Sequence, residues 1–355
     1  MSKTVAFGEI MLRLASPRHE RLFQSPALEA TFGGGEANVA VSLACLGREA
    51  SYVTALPPGP LGDGAIGELR KYGVDVSRCK RLPGRMGVYF LENGSNQRAS
   101  QVVYDREGSS LSLVGADSFD WDAIFQGAGW FHLTGITPAV SAGAAEASLA
   151  AVKAAKKAGV AVSIDLNYRK KLWKYGKTAP EVMRGLVSFA DVLIANEEDI
   201  QLALGIELPE PSPQSTTQSS GLDVSKASLD KAYYRELVSL VKASFPNLEK
   251  VAVTLRESHS ADRNGWSAVL SGSTGFYESR SYDITDIVDR VGGGDSFAAG
   301  LICVLSEDRQ REAYALEFAA AASCLKHTIH GDFNLVSRTE VEALLSGDGS
   351  GRVKR

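Results

Sequence analysis

Cysteine is scarce in this chain, with four in 355 residues and no C-x-x-C pair among them, so neither zinc-finger spacing nor a redox dithiol is present. Cys45, Cys79, Cys303 and Cys324 are also too sparse for a disulfide-stapled secreted domain. Cys45 and Cys303 stand among apolar residues and are expected to be buried thiols. An excess of one charge is lacking too. The 38 Lys and Arg against 42 Asp and Glu leave a net charge of −4, with both signs mixed along the chain. That argues against a broad basic face for nucleic acid or anionic lipid, so an anionic ligand would have to be held by a few placed groups. No apolar run is long enough to span a bilayer. The start, Met1-Ser2-Lys3-Thr4-Val5, reaches Gly8-Glu9 too soon for a signal peptide. Asn93-Gly94-Ser95 fits a glycosylation sequon, but without a secretory signal it reads as a turn. The expectation is a cytoplasmic protein with no nucleic-acid or membrane partner.

Two common nucleotide motifs are absent as well. Gly176-Lys177-Thr178 ends like a P-loop, but Lys171 stands where its first glycine belongs. Gly33-Gly34-Gly35 begins like a dinucleotide turn, but Asn38 stands where the third glycine belongs.

What is present is ordinary globular composition, 44 % hydrophobic and 23 % charged. The length suits one large α/β domain over residues 1–345. Buried-strand runs at Trp130–Leu133, Val160–Asp165, Val192–Ala195 and Val251–Thr254 alternate with helical stretches such as Ala142–Ala158. This pattern predicts a parallel sheet covered on both faces. The first third reads differently. Ala37–Leu46 is helical and Ser51–Leu56 is a strand, but about 9–32 and 87–110 hold short alternating segments. These predict an antiparallel flap with one wet face, a natural lid for a ligand cleft. Residues 208–228, rich in Pro, Ser, Thr and Gln, are expected to form a flexible loop, and 346–355 a disordered tail.

The chemistry concentrates in Asp289-Arg290-Val291-Gly292-Gly293-Gly294-Asp295-Ser296. Three successive glycines suit a backbone that must approach something closely. They open a helical stretch, and free N–H groups at a helix start attract anions. Asp295 at that start should stay ionised and could accept the proton of an attacking hydroxyl beside a phosphate. Read alone, a Gly-Asp pair is more often a helix cap or a first-turn helix acid. The glycine run and the segments below favour phosphoryl transfer.

This segment resembles the C-terminal signature of the ribokinase-like sugar kinases, the phosphofructokinase-B family. Gly33-Gly34-Gly35-Glu36-Ala37-Asn38-Val39-Ala40 resembles the N-terminal signature. The likeness runs from about Ala6 to Leu335, with the segments in the family's order. It implies a three-layer α/β/α sandwich with a small β-sheet lid, and ATP with Mg²⁺ as phosphate donor. It also implies Asp295 as catalytic base, and Gly292, Gly293 and Gly294 as the anion hole.

Within the family, four stretches resemble the kinases of 2-keto-3-deoxygluconate: Gly8–Leu14, Leu61-Gly62-Asp63, Asp165–Arg169 with Leu172-Trp173, and His330-Gly331-Asp332. Relatives that grip neutral sugars carry an Asp on the first strand, whereas the first Asp here is Asp63. Arg106 on the flap and Arg169 at a strand end could meet one small anion, and the guanidinium fork suits a carboxylate. The resemblance assigns Arg106 and Arg169 to the C1 carboxylate. It assigns Gly34, Gly35, Asn38, Tyr89, Tyr104 and Asp332 to the rest of the sugar acid; Tyr89 and Tyr104 would serve equally as cross-strand packing.

On the nucleotide side it implies Asn167, Asn196, Thr254 and Arg256. Asn196-Glu197-Glu198-Asp199 resembles an N-x-x-E motif that helps place Mg²⁺. Here Asp199 is one methylene short, so either a water bridges the gap or Glu198 shares the role; an acidic helix start is the plain alternative. Arg256 stands where many relatives have glycine. His327 and His330 lack a third metal ligand and read as polar groups near the cleft. Exposed lid strands favour a homo-oligomer. The alternatives are a kinase for another acidic or neutral sugar, and a non-catalytic sugar binder. A non-catalytic binder would be expected to lack the base or the anion hole, and both are present.

Overall fold

The structure is a computed structural model that describes residues 2–209 and 231–348. The predicted loop 208–228 and tail 346–355 therefore lie almost entirely outside the described residues. The strands in chain order are β1 (Lys3–Phe7), β2 (Met11–Ala15), β3 (Glu29–Gly33), β4 (Ala50–Val53), β5 (Ala55–Leu56), β6 (Lys80–Arg81), β7 (Val88–Glu92), β8 (Gln101–Asp105), β9 (Ala128–Thr134), β10 (Ala161–Asp165), β11 (Val192–Ala195), β12 (Lys250–Ser258), β13 (Asn264–Ser271), β14 (Phe276–Glu278) and β15 (Tyr282–Ile284).

The main sheet runs β14-β13-β12-β11-β10-β9-β1-β4, with β15 also on β13. From β12 to β4 all pairs are parallel, and β13 to β15 add an antiparallel edge. Its central strands are buried on both faces, which is why they read as continuous apolar runs. Successive residues serve opposite layers. Val5, Phe7, Phe131, Leu133, Val162 and Ile164 pack with the helices Ala142–Lys157 and Ala179–Val187. Ala6, Trp130 and Ala161 pack with Gly35–Cys45, Gly293–Leu305 and Glu312–Lys326. The result is the expected three-layer sandwich.

Local chemistry starts the helices where the sequence places them. Ser141 accepts from the Ala144 N–H at 3.1 Å, starting Ala142–Lys157. Thr178 and Glu181 form a capping box before Ala179–Val187. The predicted strand Ser51–Leu56 splits in two, β4 joining the main sheet and β5 pairing with β6.

The lid is a four-stranded sheet, β3-β2-β7-β8. The expectation of an antiparallel flap needs correction, because β2 and β7 pair in parallel. Between β3 and β7 the chain returns to the body, forming the helix Gly35–Cys45 and β4, and this crossover permits a parallel pair. Of the cysteines, all four are free; Cys303 is buried, whereas Cys45 is only half-buried.

The order of the main sheet reverses between β1 and β9. In doubly wound sheets ligands gather at the carboxyl ends of strands beside such a switch point. Those ends are Phe7, which closes β1 and leads into Gly8-Glu9, and Thr134, which closes β9, and the lid stands over them.

Candidate active site

A cleft of about 840 Å³ lies between the lid and the carboxyl ends of the sheet. Every site residue expected from the sequence lines it. Gly34, Gly35 and Asn38 come from the turn into the first long helix, Tyr89, Tyr104 and Arg106 from the lid, and Asn167 and Arg169 from the loop after β10. Asn196, Glu198 and Asp199 follow β11. Thr254 and Arg256 lie on β12, Gly292–Asp295 open a helix, and Asp332 lies in a late turn.

Asp295 lies in the first turn of Gly293–Leu305 and is 8 % exposed. Gly292 precedes it with φ 85, a left-handed conformation that favours glycine. A Cβ there would also sit 2.1 Å from the Asp332 carbonyl oxygen. No side chain caps this helix start, so first-turn N–H groups remain for a ligand. A Cβ on Gly294 would meet nothing within 4 Å, which marks the side open to the cleft.

Asn38 Nδ2 donates to Asp295 Oδ2 at 2.6 Å, and Asn38 Oδ1 accepts from the Gly34 N–H at 3.1 Å. One side chain thus joins the two glycine signatures. At Gly34 the demand is space, since a Cβ would lie 2.0 Å from the Glu9 carbonyl oxygen. Beneath this turn Glu36 Oε1 accepts from the Thr134 N–H and from the Thr134 and Thr137 hydroxyls, at 2.9, 2.8 and 2.7 Å. Burial nevertheless lifts the Glu36 carboxyl to about 7.

Asp295 is expected from its helix start to stay ionised, and burial works against that. Burial pushes it up to about 6, against the Asn38 hydrogen bond and the charges of Arg169 and Lys326, with Asp332 adding to the rise. Asp295 still ionises at neutral pH, and a raised value makes it a stronger proton acceptor.

On the sugar side, the flap arginine is not a loose surface charge. Arg106 is buried and its Nη2 donates to Glu9 Oε2. Glu9 Oε1 has no hydrogen-bond partner among the described residues. The Tyr89 hydroxyl donates to Asp332 Oδ1 at 2.6 Å, and its ring lies 5.9 Å from that of Tyr104. Cross-strand packing and cleft lining are therefore both true of these tyrosines.

Sequence reasoning passed over Arg13, Asp289 and Lys326. Arg13 on β2 is fully buried. Its Nη1 donates to Asp332 Oδ1 at 2.7 Å and its Nη2 to Asp289 Oδ2 at 2.5 Å. Burial alone would lower the guanidinium, but Asp289 and Asp332 outweigh it and hold it above its ordinary value. Lys326, also fully buried, donates to the carbonyls of Ile329 at 3.1 Å and Asp289 at 3.4 Å, and burial lowers its ammonium. A single signal was available for Arg13: a charge alone in the apolar strand Met11-Leu12-Arg13-Leu14-Ala15.

The rest of the cleft, Arg169 together with the residues expected to meet the nucleotide, is more open. Arg169 is exposed and donates to the adjacent Tyr168 carbonyl at 3.2 Å. Its charge acts on Asp165, Asp199, Asp295 and Arg256 alike, which places it centrally. Asn196 caps the helix Glu197–Leu204, accepting from the Asp199 N–H at 2.8 Å. Asp199 is buried, accepts from the Tyr168 N–H at 3.2 Å, and is lifted by burial to about 6. Glu198 is exposed. Asp165 is pushed well up by burial and by the charges of Asp199 and Asp295. Among the described residues no group of three His, Cys, Asp or Glu could hold a metal. His327 does line the cleft, buried and lowered to about 4 by that burial. His330 does not; it lies in a separate surface groove, 3.0 Å from Glu29.

An uncapped glycine helix start with a buried carboxylate in its first turn, under a lid at a switch point, suits phosphoryl transfer to a small molecule. The chain belongs to the PfkB family: the family description "pfkB family carbohydrate kinase" matches residues 1–337. It is a carbohydrate kinase of ribokinase-like fold. The 2-dehydro-3-deoxygalactonokinase of Haloferax volcanii is 33 % identical over 350 residues, covering 99 % of this chain and 98 % of that protein. The 2-dehydro-3-deoxygluconokinase of Bacillus subtilis is 29 % identical over 299 residues, 84 % and 81 % of the two chains. Among solved structures, the 2-dehydro-3-deoxygluconokinase of Thermotoga maritima is 46 % identical with a TM-score of 0.88, covering 98 % of this chain and all of that one.

Proposed function

We propose that the protein transfers the γ-phosphoryl group of ATP to the C6 hydroxyl of 2-keto-3-deoxy-D-gluconate, the sugar acid also called 2-dehydro-3-deoxygluconate. The observation that carries this reading is the meeting of Asp295 and the uncapped glycine run with Arg106 and Arg169 in one cleft. The names of the relatives support a 2-keto-3-deoxy sugar acid, and the likeness to the Thermotoga structure favours the gluconate over its galactonate epimer.

In this reading Arg106 and Arg169 bind the C1 carboxylate, and Tyr89, Tyr104, Gly34, Gly35, Asn38 and Asp332 contact the rest of the sugar acid. Asp295 accepts the C6 hydroxyl proton as that oxygen attacks phosphorus, and the first-turn N–H groups of Gly292–Gly294 stabilise the transferred charge. ATP enters as its Mg²⁺ complex, with Asn167, Asn196, Thr254 and Arg256 along its path. Asp199 and Glu198 offer hard carboxylate oxygens, and Mg²⁺ commonly takes one or two of these together with phosphate and water. The lid then excludes water. Among the described residues no helix is long and apolar enough to cross a membrane, and we place the activity in the cytoplasm.

We also propose a homo-oligomer joined through the lid. Leu12, Leu14, Val88, Phe90 and Val103 share the lid face turned from the cleft, and Val103 is 53 % exposed.

Coupled kinase turnover over a panel of sugars tests the function. The expected result is a preference for 2-keto-3-deoxygluconate over its galactonate epimer and over neutral hexoses. A preference for a neutral hexose would overturn the carboxylate reading.

A further inference from the structure

We propose that Arg13 is a positioning residue that ties the sugar-contacting Asp332 to the phosphate-binding glycine run, so that filling the sugar side organises the anion hole. The proposal depends on the sugar-acid kinase reading above. A strand of the lid supplies Arg13, and its guanidinium forks to two carboxylates from different segments. One is Asp332, which also accepts from Tyr89 and whose Oδ2 faces the Gly33 turn, where a Cβ would lie 2.1 Å away. The other is Asp289, at the entrance to the glycine run. Asp289 Oδ1 accepts from the Val291 N–H at 3.0 Å, and its Oδ2 accepts from the Gly331 N–H at 3.1 Å. One guanidinium therefore links the lid, the turn carrying Asp332 and the segment that sets Gly292.

Stability alone gives little reason for this arrangement. Replacing a buried ion network with apolar side chains is often neutral or stabilising, so such a network is weak evidence for a stabilising role. Arginine suits this place by shape, since its rigid planar fork holds two carboxylates at a fixed spacing, which a compact ammonium on a flexible stem does not. The backbone behind the link has little slack, because Gly292 already lies against the Asp332 carbonyl. A small shift of Asp332 is thus passed to the anion hole, where displacement on the ångström scale can cost about a hundredfold in rate.

The test compares the full chain with Arg13→Lys, Asp289→Asn and the double variant, measuring kcat and both KM values alongside thermal melts. Asp289→Asn weakens the arm to the glycine run, with the contact to the Gly331 N–H, and leaves the bond between Arg13 and Asp332 in place. It should lower kcat about tenfold while leaving the sugar-acid KM within about twofold. Arg13→Lys cuts both arms and should lower kcat and raise the sugar-acid KM, each by about tenfold. The double variant should have a kcat close to that of the worse single variant, because both break one link. A normal kcat in folded Asp289→Asn, or multiplied losses in the double variant, would overturn the proposal. If the variants do not fold, amide hydrogen exchange on the wild type decides. Addition of 2-keto-3-deoxygluconate without nucleotide should slow exchange at 290–295, and unchanged exchange there would overturn the coupling. Failure of the function reading is distinguishable, since it shows as wild-type protein that turns over no sugar acid in the panel.

Discussion

The two ends of the cleft differ in how their polar groups are spent before any ligand arrives. Where the sugar acid is proposed to lie, Arg106, Tyr89 and Asn38 are buried and each already holds a carboxylate, and Arg13 behind them holds two more. Where the nucleotide is proposed to lie, Asn196, Glu198 and Arg256 are exposed. A preset site loses little freedom on binding and penalises a guest that leaves its buried groups unmatched. An open site suits a ligand that brings its own water and counter-ion. Selectivity is therefore expected to reside with the lid and the Gly33 turn.

The largest effect tests the one residue that serves both ends. Asp295→Asn should lower kcat by about 10²–10⁴-fold, the usual worth of a general base, while calorimetry shows the sugar acid still binding. Arg106→Gln comes next and probes the preset end. It should lower kcat/KM for the sugar acid about a hundredfold and destabilise the fold by about 3 kcal/mol in denaturant melts, because Glu9 is left buried without its partner. Adding Glu9→Gln should restore the melt but not the kinetics; recovery of both would mean that Arg106 has no ligand role.

A smaller effect crosses the divide. With Asp295 lifted to about 6 by burial, kcat/KM should fall as pH drops through about 6, where the carboxyl takes up its proton and can no longer accept one. Arg169 holds that value down, so Arg169→Gln should move the acid limb to higher pH. A limb that stays in place would separate Arg169 from the base. The smallest effect belongs to the open end. Glu198→Gln should raise the KM for MgATP by a few-fold, of order 1 kcal/mol, with an unchanged melt, because Glu198 is exposed. Asp199→Asn, at a buried group lifted to about 6, should alter both.

Legibility in the sequence followed the distance between interacting residues. The glycine run and Asp295 are neighbours along the chain, so their spacing announces a helix start with a carboxylate in its first turn. The sheet was legible because strands buried on both faces show as apolar runs. Arg13 was not, since its partners Asp289 and Asp332 lie at the other end of the chain and no local spacing relates them. The parallel pairing of β2 with β7 was hidden for the same reason. The lift of Asp295 needed burial, a property of the packed helix layer and not of the Gly-Asp dipeptide.

The route of the chain through the lid carries a consequence for folding. The strands β2 and β3 leave the body, the chain returns to lay down a helix and β4, and only then do β7 and β8 complete the lid. Leu12 therefore finds Val88 across a long intervening stretch of body. Contacts so far apart in sequence form slowly, because the loop between them must be closed before they contribute. Pairing of the lid is therefore expected to lag behind local structure, and deleting the lid would also sever the connections that thread the sheet.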